Sequence, residues 1–157
     1  MSYFDEGVFG GGIGSQGLVC FDSTGVPTFR YGDFAEQNGL PMICDCYAMN
    51  ATPSGDVWLN YYTDFPLVRL HDCLIQNVWR DFGVMGNNFA IRDGAALHVR
   101  DTKFMTKDLE HHQPMDINAI DEGGFNLTPI SSPHLGVAAR AASLVINTGT
   151  AIYESIA

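Results

Sequence analysis

Residues 55–70 read Gly-Asp-Val-Trp-Leu-Asn-Tyr-Tyr-Thr-Asp-Phe-Pro-Leu-Val-Arg-Leu. A polar turn leads into a strand with a tryptophan, then a short connector, then a second strand that ends in charged residues. The second half returns at Gly17-Leu18-Val19-Cys20-Phe21-Asp22. Longer segments align as well: Gly17 through Phe34 matches Pro66 through Phe82 at an offset of 49 residues, once one gap is allowed. Ala96-Leu97-His98-Val99-Arg100-Asp101 is a weaker third copy, and Thr150-Ala151-Ile152-Tyr153-Glu154 a looser fourth. A repeat constrains the fold more than any single motif, because each copy must be the same supersecondary unit and needs neighbours to bury its apolar face.

The local signals make that unit a small antiparallel sheet. Leu18 to Phe21 and Pro27 to Tyr31 flank Asp22-Ser23-Thr24-Gly25, which has hairpin-turn chemistry. Met42 to Met49 is an apolar run closed by the loop residues 50–56. Val57 to Tyr62 is rich in the aromatic and branched residues that strands favour. Leu67 to Leu70, Leu74 to Trp79, Phe89 to Arg92, Ala95 to Val99 and Lys103 to Thr106 continue the series, with Asp93-Gly94 as a two-residue turn. Residues 108–133 form a polar excursion with one short strand expected around Met115 to Ile120. The alanine-rich Val137 to Ser143 is expected to start a helix, and Leu144 to Tyr153 to form a hairpin around Asn147-Thr148-Gly149.

Repeats of about 40–50 residues, each a small antiparallel sheet, are the sequence form of propeller blades. Gly55-Asp56-Val57-Trp58-Leu59 followed by Pro66-Leu67-Val68-Arg69-Leu70 resembles the blade signature of the regulator-type β-propellers. Gly17-Leu18-Val19-Cys20-Phe21-Asp22 is similar to its second half, with cysteine in the arginine place. The resemblance implies an all-β fold of antiparallel, propeller-like blades and transfers no active site. The expected arrangement is one domain over residues 1–157, with approximate repeats at 1–35, 40–83, 84–120 and 137–157. This length holds about three to four blades, and Met1 to Glu6 aligns with Leu59 to Asp64, inside a blade. The expectation is therefore an incomplete ring, or a ring completed by self-association, since an open edge strand needs a partner or cover.

Composition narrows the function classes. The 157 residues carry 18 acidic against 8 basic side chains, a net charge of −10. Such a chain is repelled by phosphate backbones and by anionic membrane surfaces, so neither nucleic acid nor membrane is an expected partner. No run approaches the ~20 apolar residues of a membrane helix. The acidic start, Met1-Ser2-Tyr3-Phe4-Asp5-Glu6, lacks the basic and apolar regions of a secretory signal, so the chain is expected in the cytoplasm. Cys20, Cys44, Cys46 and Cys73 are accordingly expected as free thiols.

Four groups of residues could carry chemistry. Gly12-Ile13-Gly14-Ser15-Gln16-Gly17 satisfies Gly-x-Gly-x-x-Gly, but a strand follows it where a dinucleotide fold needs a helix. A connector is the plainer reading. Cys44 and Cys46 lie on one side of a strand and could offer sulfur to zinc together with Cys20 or Cys73, although burial as small hydrophobes is commoner. His111 and His112 with Asp108, Glu110 and Asp116 are the densest set of potential metal ligands, against a plainer reading as a solvated loop. Asp5-Glu6 beside Tyr3-Phe4 in one repeat are equivalent to Thr63-Asp64 beside Tyr61-Tyr62 in another, which makes Tyr3, Asp5, Glu6, Tyr61, Tyr62 and Asp64 the candidate ligand contacts. Such positions would line one rim and offer aromatic faces and carboxylates to a cationic or polar ligand; turn chemistry and core aromatics are the plainer alternative.

No nucleophile elbow and no serine–histidine–acid order is present. The expected function is thus a non-catalytic binding or scaffolding module that presents a rim of loops to a protein or small polar ligand, without a cofactor. The alternative is a propeller-type hydrolase or lyase dependent on a divalent metal such as calcium or zinc, with Glu6, Asp64, Asn60 and Asp45 as candidate ligands.

Overall fold

A computed structural model describes residues 2–3, 10–80, 82–85, 88–92, 94–100, 103–109, 114–116, 136–147 and 152–155. Four antiparallel meanders follow one another along the chain. The first holds β1 (Ser2–Tyr3), β2 (Leu18–Phe21) and β3 (Pro27–Arg30), and leads into the helix α1 (Tyr31–Gln37). The second holds β4 (Asp45–Ala51), β5 (Asp56–Tyr62), β6 (Leu67–His71) and β7 (Leu74–Trp79) in that order. The third runs through β8 (Phe89–Arg92), β9 (Ala95–Arg100), β10 (Lys103–Asp108) and β11 (Pro114–Asp116). The fourth is β12 (Gly136–Arg140), β13 (Ser143–Asn147) and β14 (Ile152–Ser155). The protein is thus mostly β, built of antiparallel sheets, as the strand patterning implies.

Contacts divide the chain into two compact units, residues 1–47 with 56–84, and residues 48–55 with 85–157. In the first unit the core follows directly from strand alternation. Leu59 and Tyr61 of β5, and Val68 and Leu70 of β6, project to one side and pack with Leu18, Tyr31, Ala35, Leu40 and Ile43. Each fully buried Leu or Val contributes about 1.5–3 kcal/mol relative to exposure. The opposite face of β5 carries Asp56, Trp58, Asn60 and Tyr62, because successive side chains alternate.

Two turns fix the register here. Asp22 Oδ1 accepts from Thr24 N at 2.8 Å, Thr24 Oγ1 at 2.7 Å and Val26 N at 2.9 Å, closing the β2–β3 hairpin. Those bonds, the Thr24 hydroxyl first, hold the Asp22 carboxyl below the usual carboxylate range. The β6–β7 turn places Asp72 and Cys73 at φ 47° and 61°, the left-handed region that two-residue hairpin turns demand.

Cys73 is joined to Cys20 of β2 in a disulfide, with Cα atoms 6.0 Å apart. This corrects the free-thiol expectation for two of the four cysteines, and removes both from any zinc set with Cys44 and Cys46. The latter two are free thiols. Cys46 packs against the core cluster, and Cys44 Sγ lies 3.8 Å from Thr63 Oγ1.

In the second unit one asparagine ties three segments together. Asn50 is buried; its Nδ2 donates to the carbonyls of Phe89 (2.8 Å) and Ala141 (2.9 Å), and its Oδ1 accepts from Ala141 N at 2.6 Å. β4 therefore runs through Asn50 to Ala51, where loop composition suggested an end at Met49. Val137 to Ser143 is also different from expectation: its alanines lie in β12 and the turn into β13, not in a helix. Alanine's helix propensity is worth only tenths of a kcal/mol per residue, and a complete ladder of strand pairing overrides it.

Candidate functional site

Asn60 shapes the connector between β5 and β6. It is fully buried, and its Nδ2 lies 3.2 Å from the carbonyl of Phe65 and 3.1 Å from those of Pro66 and Gly83. A second tie comes from Cys44 N, which donates to Tyr62 O at 2.9 Å. The backbone is thereby held in an unusual course, with Asp64 at φ 64° and Phe65 at φ 48°. Non-glycine residues rarely adopt such angles unless their surroundings impose them.

The held connector exposes aromatic surface. Tyr62 is 46% exposed and Tyr47 38%. Phe65 lies between them, edge-on to Tyr47 at 5.1 Å between centroids and tilted against Tyr62 at 5.7 Å. Asp64, within the connector, and Asp45, two residues before Tyr47, are both exposed. Three rings in contact with carboxylates beside them form a surface able to take apolar groups or cations.

Its neighbour Tyr61 belongs elsewhere. It is fully buried, its ring meets Tyr31 edge-to-face at 5.6 Å, and its hydroxyl lies 2.6 Å from that of Tyr31. Tyr61 Oη donates to Pro41 O at 3.0 Å. Burial pushes the Tyr31 phenol up to about 12 and raises that of Tyr61 as well. Of the rim residues expected from sequence, the structure thus brings Tyr62 and Asp64 to the surface and takes Tyr61 into the core. Tyr3 lies in β1 opposite Leu18, whereas Asp5 and Glu6 lie outside the described residues.

The potential metal ligands divide in the same way. Asp108 ends β10 and Asp116 ends β11, whereas Glu110, His111 and His112 lie outside the described residues. Among the described residues no three His, Cys, Asp or Glu side chains converge as a metal site requires. Gly12–Gln16 forms a 3₁₀ turn followed directly by β2, so no helix opens after the Gly-x-Gly-x-x-Gly stretch to receive a pyrophosphate.

A second polar group, on β5 and β6, has no counterpart in the sequence reading. Asp56 accepts from Arg69 Nε at 3.1 Å and Nη2 at 3.3 Å, and lies 3.2 Å from His71 Nδ1. The Arg69 guanidinium lies 5.4 Å from the Trp58 ring centroid, and Trp58 stacks on Trp79 at 5.7 Å. Period-two spacing could have found it: Asp56 and Trp58 share one face of β5, and the pairs Asp56–His71 and Trp58–Arg69 are directly opposed across the two strands. Trp58 is 5% exposed, and its Nε1 has no hydrogen-bond partner among the described residues. The group stabilises the sheet face through stacking and a partly buried charge pair.

Among the described residues no helix is long and apolar enough to cross a membrane. No curated protein sequence matches the chain significantly. A family model described as the YxzG family matches residues 18–155, which take in the connector, both tyrosine clusters and all strands from β2 to β14. By that match the chain belongs to the YxzG family.

Proposed function

We propose that the protein is a non-catalytic binding module whose contact surface is Tyr47 of β4 together with Tyr62, Asp64 and Phe65 at the β5–β6 connector. The observation that carries this reading is a strained connector fixed from beneath by Asn60 while its aromatic side chains stay exposed. Rigid aromatic groups give contact area at low entropic cost, which suits recognition of a protein or a small polar ligand. The four successive meanders support a propeller-like arrangement, with blades that present their connectors along a rim and with outer strands other than β3 that, unpaired among the described residues, favour self-association. The Cys20–Cys73 disulfide favours an oxidising compartment over the cytoplasm.

The metal-dependent hydrolase reading has less support. Asn60 commits its amide nitrogen to backbone carbonyls, and Asp45 and Asp64 are exposed surface carboxylates. Its test is thermal: a metal at 100 times its Kd adds about 2.7 kcal/mol of stability, so a shift of that size with calcium, zinc or manganese would restore it.

The binding reading is tested by quantitative affinity capture with the wild type and a Tyr47→Ser/Tyr62→Ser variant of equal Tm. A ligand held by the wild type and lost about tenfold or more from the variant is expected, as two interface tyrosines are worth at least that much. Identical capture by both proteins would refute the assignment of this surface.

A further inference from the structure

A separate cleft lies along β3. It measures about 330 Å³, and Pro27, Phe29, Arg30, Asp33, Phe34 and Gln37 line it, with Thr28 between the first two. All four consecutive residues of β3 therefore face it. In a strand, consecutive side chains point to opposite faces, so a cleft that touches all four runs along the strand's edge. Among the described residues β3 ends its sheet and pairs with β2 alone. The other wall is α1, which contributes Asp33, Phe34 and Gln37, positions that share one helix face. Phe29 and Phe34, 6.3 Å apart, supply aromatic surface, and Arg30 and Asp33 supply charge.

We propose that this edge cleft binds an extended basic segment of a partner protein, which adds to the sheet as a strand beside β3. Main-chain hydrogen bonds to an open sheet edge supply affinity in this mode, and pockets for alternate side chains supply specificity. Phe29 and Phe34 receive a small aliphatic side chain, and Asp33 faces a cation.

Charge selects this occupant. The first unit contains three arginines and no lysine against ten Asp and Glu residues. Arg69 is held by Asp56, and Arg80 donates to the carbonyls of Gly39 (2.8 Å) and Asn38 (2.6 Å). Helix α1 carries Asp33 and Glu36 and no cation. Arg30 is the one cation in the lining and stands against Asp33 there, so the negative field comes from Glu36 beside them on α1 and from the excess of ten acids over three arginines in the unit; it attracts a basic strand and disfavours a second copy of this acidic chain.

The test uses the ¹⁵N-labelled full chain and the probe acetyl-Lys-Val-Arg-Val-Lys-amide, with acetyl-Glu-Val-Glu-Val-Glu-amide as its charge-reversed control. The basic peptide is expected to shift amide signals of residues 27–37, and the acidic one to leave them in place. N-methylation of both valines removes two main-chain donors and weakens binding by about tenfold or more. Asp33 is exposed, so Asp33→Lys keeps the fold while weakening the basic peptide several-fold. No response at residues 27–37, equal response to both peptides, or indifference to N-methylation would overturn the proposal. So would signals at 27–30 that move on dilution without peptide, because a second copy would then occupy the edge. The connector tyrosines lie outside this cleft, so the Tyr47→Ser/Tyr62→Ser variant should bind the basic peptide as the wild type does.

Discussion

The buried tyrosine pair makes an asymmetric prediction. Tyr61 Oη donates to Pro41 O, so its one proton is committed. The 2.6 Å contact between the hydroxyls therefore has Tyr31 as donor and Tyr61 as acceptor. Tyr61→Phe removes the middle of this relay and leaves the Tyr31 hydroxyl and the Pro41 carbonyl without their partner. Each orphaned polar group costs about 1–3 kcal/mol, so a loss of about 3 kcal/mol is expected. Tyr31→Phe leaves Tyr61 still bonded to Pro41 and should cost only about 1 kcal/mol. In the double variant only Pro41 O lacks a partner, so the loss should fall below that of Tyr61→Phe alone, giving a coupling of about 1–2 kcal/mol. Urea unfolding followed by tryptophan fluorescence measures this, because Trp58 and Trp79 lie in the same unit as the pair. Equal losses for the two single variants, or losses that add in the double one, would refute the relay.

The same two phenols set the alkaline limit of stability. Unfolded tyrosines titrate near ~10, whereas the folded Tyr31 holds its proton up to about 12 and Tyr61 is also raised. The stability they contribute is full below pH 10 and is lost as pH rises, by about 1.4 kcal/mol per unit for each phenol; urea midpoints between pH 9 and 11 would show it, and Tyr61→Phe should flatten the slope. The Cys20–Cys73 bridge spans 53 positions, so its loss should cost about 4 kcal/mol by loop-closure entropy. Melting with and without a phosphine reductant reads that loss, and thiol titration of the denatured protein should give two thiols before reduction and four after it. Asn50→Asp turns a donor toward the carbonyls of Phe89 and Ala141 into a charged acceptor. It should cost about 3 kcal/mol and accelerate hydrogen exchange at the Ala141 amide; unchanged exchange there would separate Asn50 from the β12–β13 turn.

Alternation made most strands legible. Leu18 to Phe21, Leu74 to Trp79 and Phe89 to Arg92 are strands over those residues, because period-two burial leaves its pattern in the chain. α1 was not legible: seven residues with a glycine and two aromatics carry little helical signal, and only Asn38-Gly39 beyond its end hints at a stop. The disulfide was hidden for another reason, since nothing in sequence says that the β6–β7 turn reaches β2. At the connector, reading Val57, Leu59 and Tyr61 as one face would have separated Tyr61 from Tyr62. The role of Asn60 depends on carbonyls of residues 65, 66 and 83, and so could only be seen in three dimensions.

The opposite fates of Tyr61 and Tyr62 explain how a contact surface can rest on so short a strand. β5 is buried on both sides: Leu59 and Tyr61 enter the core on one, and Trp58 and Asn60 are enclosed on the other. A strand held on both faces cannot slip register, because a shift of one residue would exchange Tyr61 with Asn60 and expose the core set. Tyr62 is the last residue of that strand and inherits its fixed position, while Asn60, two residues earlier on the same face, holds the carbonyls of Phe65 and Pro66. The centre of the aromatic surface at Phe65 and its end at Tyr62 are therefore set by the same two-residue step in β5. A consequence separates stability from recognition. Asn60→Ala should displace Phe65 from between Tyr47 and Tyr62 and weaken binding even though no side chain of the contact surface has changed, whereas Tyr62→Ser should weaken binding and leave the melting temperature close to that of the wild type.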